Sequence, residues 1–123
     1  MQQSRQQTAV GGGSVTGEET PLHDLWRFLA VQFHEDWTHE HDDAWAAAED
    51  FVVTWPAEEI VKVASSIDYL YSHFATAAGR FAAIPAARYV CSSADYDAWL
   101  LAVRARMGRA VAGDNSEPLT APA

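Results

Sequence analysis

A chain of 123 residues has room for one domain, and its composition (49% hydrophobic, 20% charged) is that of a globular protein. Eight Lys and Arg against seventeen Asp and Glu give a net charge of −9, which argues against nucleic acid and anionic membranes as partners. No run approaches the ~18 apolar residues of a membrane span, no signal peptide is evident, and the single cysteine allows no internal disulfide. These features predict a soluble cytoplasmic protein.

Both ends of the chain are predicted to lie outside the folded unit. Residues 1–20 are mostly Gln, Ser, Thr and Gly, with too little apolar surface to offset the entropy lost on ordering, so we expect a disordered arm. Residues 113–123, with Pro118 and Pro122, are expected to form a flexible tail. The folded domain is therefore predicted to span residues 21–112.

The first part of this domain predicts two helices. The first follows Pro21, and residues 38–41 are expected to connect it to the second. Asp42 or Asp43 caps the second helix, which ends at Pro56 because a residue before proline is pushed out of the helical region. The apolar stripes are Leu22, Leu25, Trp26, Leu29, Ala30 and Phe33, and then Trp45, Ala48, Val52 and Trp55 with Phe51 beside them.

A third helix is predicted to begin at Pro56. Glu58 and Glu59 lie in its first turn, where the helix dipole favours negative charge, and Gly79 suits a C-terminal cap. Its apolar stripe is Ile60, Val63, Ala64, Ile67, Leu70, Tyr71 and Phe74. Whether this helix is continuous to Ala78 or restarts near Ser72 is left open by the pattern.

The last part of the domain predicts a crossing and a final helix. Residues 80–92 are the least helical, and an irregular crossing or one short extended segment near 84–92 would fit. Ser92 and Asp95 resemble a capping box for the final helix. Its apolar face is Tyr96, Trp99, Leu100, Val103 and Met107, with Arg104, Arg106 and Arg109 largely off it. The predicted fold is all-α, a bundle of about four to six helices.

The segment from Glu35 to Glu59 dominates the charge distribution. It contains nine acidic residues and no Lys or Arg, and such a field favours a cationic partner. Its acidic residues are Glu35, Asp36, Glu40, Asp42, Asp43, Glu49, Asp50, Glu58 and Glu59.

Three histidines in or beside this segment, His34, His39 and His41, make a metal-binding protein or metal-dependent enzyme an alternative. Paired zinc-binding histidines on a helix are four residues apart, whereas His34 and His39 are five apart, a rotation of about 140°. A solvated loop therefore explains them better, and we assign no metal or cofactor. Cys91 is expected to be a partly buried structural thiol, and no catalytic residue or small-molecule substrate is predicted.

One interpretation of the five tryptophans is that their rings stack on a bound ligand. Four of them fall on or near the apolar stripes, so core packing accounts for them better. Trp37 is the exception, and we favour closure of the core over anchoring of a partner. His34 and Asp36 beside it would fix the turn after the first helix.

Two motifs resemble one known family. Phe33-His34-Glu35-Asp36-Trp37 resembles the Phe-His-x-Asp-Trp signature of a helical group of bacterial contact-dependent growth inhibition immunity proteins, and Tyr96-Asp97-Ala98-Trp99-Leu100 resembles that group's closing Tyr-x-x-Trp-Leu helix. The resemblance covers residues 22–110. The loop Thr38–His41 departs from the family pattern because it lacks the glycine often seen there.

The resemblance implies a cytoplasmic protein that binds and neutralises the toxin domain of a delivered effector, frequently a nuclease with a basic surface. A helical adaptor that docks a partner helix is a further alternative. The expected toxin contacts are Glu35, Glu40, Asp42, Asp43, Glu49, Asp50, Glu58 and Glu59. The expected scaffold residues are Phe33, His34, Asp36, Trp37, Tyr96 and Trp99.

Overall fold

A computed structural model describes residues 21–33 and 37–121. Its elements are α1 (His23–Gln32), a 3-10 helix (Trp37–His39), α2 (Ala44–Thr54), α3 (Ala57–His73), α4 (Ala77–Ala83), a second 3-10 helix (Pro85–Tyr89) and α5 (Ser93–Val111). These ranges contain no strand, which confirms the all-α prediction. None of their helices has both the length and the apolar character needed to cross a lipid bilayer.

Some predictions fall on residues that the structure does not describe. The predicted disordered arm at residues 1–20, the end of the tail at 122–123, and His34, Glu35 and Asp36 of the motif lie outside the described ranges. The short extended segment that the sequence allows near 84–92 is not formed, and Pro85–Tyr89 within it are the second 3-10 helix. Pro85 explains this difference, because its fixed φ suits the first position of a helical turn.

The centre of the bundle is α5, which packs against α2, α3 and α4, while α1 packs against α3. Its predicted apolar face is confirmed, since Tyr96, Trp99, Leu100, Val103 and Met107 are all at most 1% exposed. The Trp99 ring lies 6.3 Å from that of Phe28 and 5.5 Å from that of Phe33. Its Nε1–H donates to the carbonyl oxygen of Ala44 at 3.2 Å. One side chain therefore joins α1, α2 and α5.

The buried face of α1 differs from the predicted stripe. Trp26 is 40% exposed, whereas Phe28 is 1% exposed and packs against the Phe51 ring. Gln32 is also buried, because its side-chain amide donates to the carbonyl oxygen of Ala47 at 2.8 Å. The face through Leu25, Phe28, Leu29 and Gln32 has the same three-and-four spacing as the predicted one, so only packing distinguishes them.

The predicted start and end of α2 are confirmed, whereas α3 begins one residue later than predicted, with Pro56 as its extended N-cap. Asp43 caps α2, and its carboxylate accepts from the Ala46 N–H at 2.8 Å. Trp55 is extended, with φ −84° and ψ 151°, as expected for a residue before proline. The α3 helix then begins at Ala57.

The prediction that Gly79 caps α3 is wrong. Gly79 lies inside α4, and its N–H donates to the Thr76 hydroxyl at 3.0 Å, because Thr76 is a new N-cap that restarts the helix. The glycine that ends a helix is Gly113, with φ 86° after α5. The N–H groups of Gly113 and Asp114 donate to carbonyl oxygens in the last turn of α5, as in a Schellman motif.

Residues 113–121, assigned from composition to the predicted tail, contact the bundle through a buried ion pair. Arg106, predicted off the apolar face, is 0% exposed and forms two 2.9 Å bonds with the carboxylate of Glu49. Arg106 also donates to the Asn115 side chain at 2.9 Å, and Glu49 accepts from the Leu119 N–H at 2.8 Å. Burial alone would raise the pKa of Glu49, but the bonds from Arg106 and Leu119 outweigh it and lower that pKa.

A second network joins α3, α4 and α5. Arg80 donates to both carboxylate oxygens of Asp97, at 2.8 and 3.2 Å, and Tyr71 donates to Asp97 at 2.8 Å. The Arg80 guanidinium also lies 4.4 Å from the Tyr71 ring centroid and donates to the carbonyl oxygen of Phe74 at the end of α3. The bonds from Arg80 hold the pKa of Asp97 below its ordinary value of 3.8.

Breaking the Glu49–Arg106 pair on one side is expected to destabilise the fold. Removal of one partner leaves an uncompensated buried charge, so Glu49→Leu and Arg106→Met should each lower the free energy of unfolding by about 3 kcal/mol. The free energy of unfolding should fall less in the double variant than in either single variant. Urea denaturation measures all three, and the exposed Arg104–Asp68 pair provides the control, with losses below about 1 kcal/mol. Additive losses at Glu49 and Arg106 would contradict this account.

The Asp97 network predicts a dependence of stability on pH. Because the pKa of Asp97 is lowered in the folded state, its contribution is present above the unfolded value of 3.8 and is lost as pH falls through the folded value. Asp97→Asn should lower the free energy of unfolding by about 2 kcal/mol at pH 7 and reduce its decline between pH 5 and about pH 2. Thermal melts across this range test both effects, and an unchanged decline in the variant would refute the assignment.

Candidate functional site

Two of the eight predicted contact residues are neutralised by the protein's own basic side chains. Glu49 pairs with Arg106, and Glu59 accepts from Arg27 and, at 3.2 Å, from Lys62. The hydrogen bond from Arg27 is the main cause of the lowered pKa of Glu59. The lack of Lys and Arg within the acidic segment therefore does not leave Glu49 and Glu59 uncompensated, because Arg106 on α5, Arg27 on α1 and Lys62 further along α3 neutralise them.

The remaining predicted contact residues have different surroundings. Asp43 is occupied as the N-cap of α2, and Glu40 is exposed in the loop before it. Asp50 has a half-exposed side chain, with one carboxylate oxygen 4.0 Å from the ring nitrogen Nε2 of His41. Asp42 and Glu58 are exposed and form no hydrogen bond or ion pair with the described residues.

Asp42 and Asp43 border a cavity of about 580 Å³ between the start of α2 and the N-terminal half of α5. Its described lining is Trp37, Asp42, Asp43, Ala44, Trp45, Val90, Cys91, Asp95, Ala98, Trp99 and Ala121. Three tryptophans and three carboxylates thus border one space, which we call the Trp–Asp cavity. We take it as the candidate functional site.

Hydrogen bonds orient two of the aromatic walls. Trp37 donates from Nε1 to the carbonyl oxygen of Tyr89 at 2.9 Å, and its ring meets Phe33 edge-on at 5.2 Å. Trp99 is held by its bond to Ala44. Both rings are therefore in place before any ligand arrives, which reduces the entropy lost on binding.

The third carboxylate is at the start of α5. Ser92 is the N-cap, as predicted, but its hydroxyl donates to the Asp95 carboxylate at 3.1 Å and makes no bond to a helix N–H. The predicted capping box is therefore not formed. Burial and then the charge of Asp95 raise the pKa of Cys91 to about 11, so this thiol stays protonated at neutral pH and is a poor nucleophile.

The histidines of the metal alternative are dispersed. His39 is exposed, His41 faces Asp50, and His34 lies outside the described residues. Within the described ranges, no group of three His, Cys, Asp or Glu side chains is placed to hold a metal ion.

The two family-like motifs meet in space. The Phe33 ring lies edge-on to Trp37 at 5.2 Å and to Trp99 at 5.5 Å, and Tyr96 stacks on Trp99 at 5.9 Å. These four predicted scaffold residues therefore form one aromatic cluster beside the Trp–Asp cavity. Comparisons with known protein families, curated proteins and solved structures find no match to the chain.

The Trp–Asp cavity was not predicted from the sequence. Trp45 and Trp99 follow apolar stripes, a pattern that predicts packing, yet each also borders the cavity. The position of Asp95 after Ser92 predicts only a helix cap. The one available signal was the pairing of Asp42 and Asp43 with Trp45, since acids and an aromatic ring lay within four positions.

Within the aromatic cluster, the Tyr96 hydroxyl is buried and has no hydrogen-bond partner among the described residues. Burial is the largest cause of its raised pKa. Tyr96→Phe removes this unpaired group, so we expect the free energy of unfolding to stay constant or to rise by up to about 1 kcal/mol. Tyr71→Phe is the matched control. It should lower the free energy of unfolding by about 1 kcal/mol, because the Tyr71 hydroxyl donates to Asp97. Urea denaturation compares the two, and a larger loss at Tyr96 would contradict the assignment.

Proposed function

We propose that this protein is an immunity protein of a contact-dependent growth inhibition system. It binds a basic toxin domain in the cytoplasm and blocks it stoichiometrically, with no chemistry of its own. The observation that carries the proposal is the uneven distribution of ion pairs. Five described basic side chains pair with carboxylates, namely Arg27, Lys62, Arg80, Arg104 and Arg106. No described Lys or Arg pairs with the carboxylates around the Trp–Asp cavity.

This distribution concentrates the net negative charge on one part of the surface. Asp42, Asp43 and Asp95 border the cavity, and Asp50 lies close to the same loop through its approach to His41. Complementary charge raises association rates in a salt-dependent way and excludes partners of the same sign. A toxin nuclease would present the basic surface with which it holds its own anionic substrate.

The resemblance to immunity proteins supports the same proposal. Its two motifs are separated by the 58 residues between Trp37 and Tyr96, yet their aromatic residues form one cluster. That cluster supports the wall of the cavity and the loop that carries the acids. An aromatic scaffold beside an acidic surface suits a protein that holds a basic partner.

The test begins with the gene next to this one. We expect it to encode a secreted effector whose C-terminal domain binds this chain and whose toxicity disappears on co-expression. Asp42→Lys together with Asp50→Lys should weaken that binding at least about tenfold and flatten its salt dependence. Asp43 is left intact, since its loss would cost α2 about 1 kcal/mol of capping energy.

A charge-matched control distinguishes an effect of the acidic surface on binding from an effect of the protein's net charge. Asp24→Lys with Glu117→Lys makes the same change outside the acidic segment and should leave affinity within about twofold. Calorimetric titration at several salt concentrations measures both variants, and circular dichroism confirms that both stay folded. If the variant with Asp42→Lys and Asp50→Lys binds the toxin domain as tightly as the wild type, this surface is not part of the interface. Failure of the neighbouring domain to bind would overturn the proposed function.

The helical adaptor is the second candidate, and one observation favours it. A groove of about 170 Å³ between α3 and α5 is bordered by Val61 and Val111, both of them exposed. Docking of an apolar helix there would depend weakly on salt. The salt titration therefore distinguishes the two candidates.

A further inference from the structure

We infer that the Trp–Asp cavity is a socket for one arginine side chain of the partner protein. The inference rests on the proposed function for the identity of the partner, but the chemistry of the socket is independent of it. A volume of about 580 Å³ lies within the range of ~300–1,000 Å³ typical of ligand pockets. It is far larger than the ~30 Å³ of a single water molecule.

The lining combines the two surfaces that a guanidinium recognises. Its flat faces stack on aromatic rings, and its forked N–H donors match a carboxylate. The part-exposed Trp37 and Trp45 supply the rings, the buried Trp99 borders the same space, and Asp42 and Asp95 supply carboxylates. An ammonium group has the charge but lacks the planar shape, so arginine fits this set of groups better than lysine.

Other classes of ligand fit less well. An anion would meet three carboxylates. The Ala46 N–H at the start of α2 already donates to one of them, Asp43. A neutral apolar ligand would remove water from Asp42 and Asp95 without compensating their charge. A cationic, planar group is the one that satisfies both parts of the lining.

The protein's own basic side chains do not line the socket within the described residues. Arg88, near it in sequence, lies 5.2 Å from the ring centroid of Tyr89. Arg106 is occupied by Glu49. The bond from Leu119 to Glu49 also holds the chain end, so that Ala121 borders the cavity. The socket is therefore shaped by the same buried ion pair that anchors residues 113–121.

The probe is Nα-acetyl-arginine methylamide, titrated into the full chain with 15N-labelled tryptophan. Saturable shifts of the indole N–H signals of Trp37, Trp45 and Trp99 are expected, with Trp26 as the internal reference because it lies outside the cavity. The citrulline analogue has nearly the same shape without the charge and should bind at least about tenfold more weakly. An absent or non-saturable response to the arginine probe would overturn the socket, as would an equal response to citrulline.

Variants locate the charge that binds the probe. Asp42→Asn with Asp95→Asn should weaken binding of the arginine probe about tenfold, while Glu58→Gln, an exposed acid outside the cavity, should leave it unchanged. Melting curves show whether the variants remain folded, and Asp42→Asn alone, at an exposed position, gives a second measurement with less structural risk. Equal binding by wild type and folded variants would refute the assignment.

The same variants separate this inference from the proposed function. If the arginine probe binds at the socket and the neighbouring toxin domain does not bind the chain, the socket stands and the proposed function fails. If the toxin domain binds wild type and the Asp42 and Asp95 variant equally, the proposed function stands and the socket inference fails.

Discussion

The side chain of Trp99 is the contact on which both the bundle and the Trp–Asp cavity depend. It lies on the central helix, packs against Phe28 and Phe33 of the first helix region, and donates a hydrogen bond to Ala44 at the start of α2. A buried indole needs an acceptor for its N–H, so this bond fixes where α2 begins relative to α5. The acids that precede α2 are thereby placed opposite Asp95.

The protein divides its acidic residues into two groups. In one group, Glu49, Glu59, Asp68 and Asp97 accept bonds from arginines of distant helices and hold the bundle together. In the other, the carboxylates around the cavity have no described arginine or lysine partner. The first group joins helices and the second gives the cavity its acidic border, although the net charge of −9 does not distinguish them.

The buried pair of Glu49 and Arg106 connects the two groups. It lies between α2 and α5 and also holds residues 113–121 by bonds to Leu119 and Asn115. Composition favoured a separate tail because prolines, glycine and polar residues are frequent there, and only long-range partners reveal its contacts. The border that Ala121 adds to the cavity depends on this arrangement.

The helices themselves followed from local signals. Asp43 capped α2, Pro56 ended it, and the spacing from Tyr96 to Met107 identified the buried face of α5, because each signal acts within a few residues. Sequence alone also determined the acidic excess and the aromatic motifs. Tertiary structure decided which carboxylates are neutralised, which face of α1 is buried, and that residues near 42, 95 and 121 border one cavity. Charge pairing and cavities depend on distances between helices, and no local pattern in the chain encodes those distances.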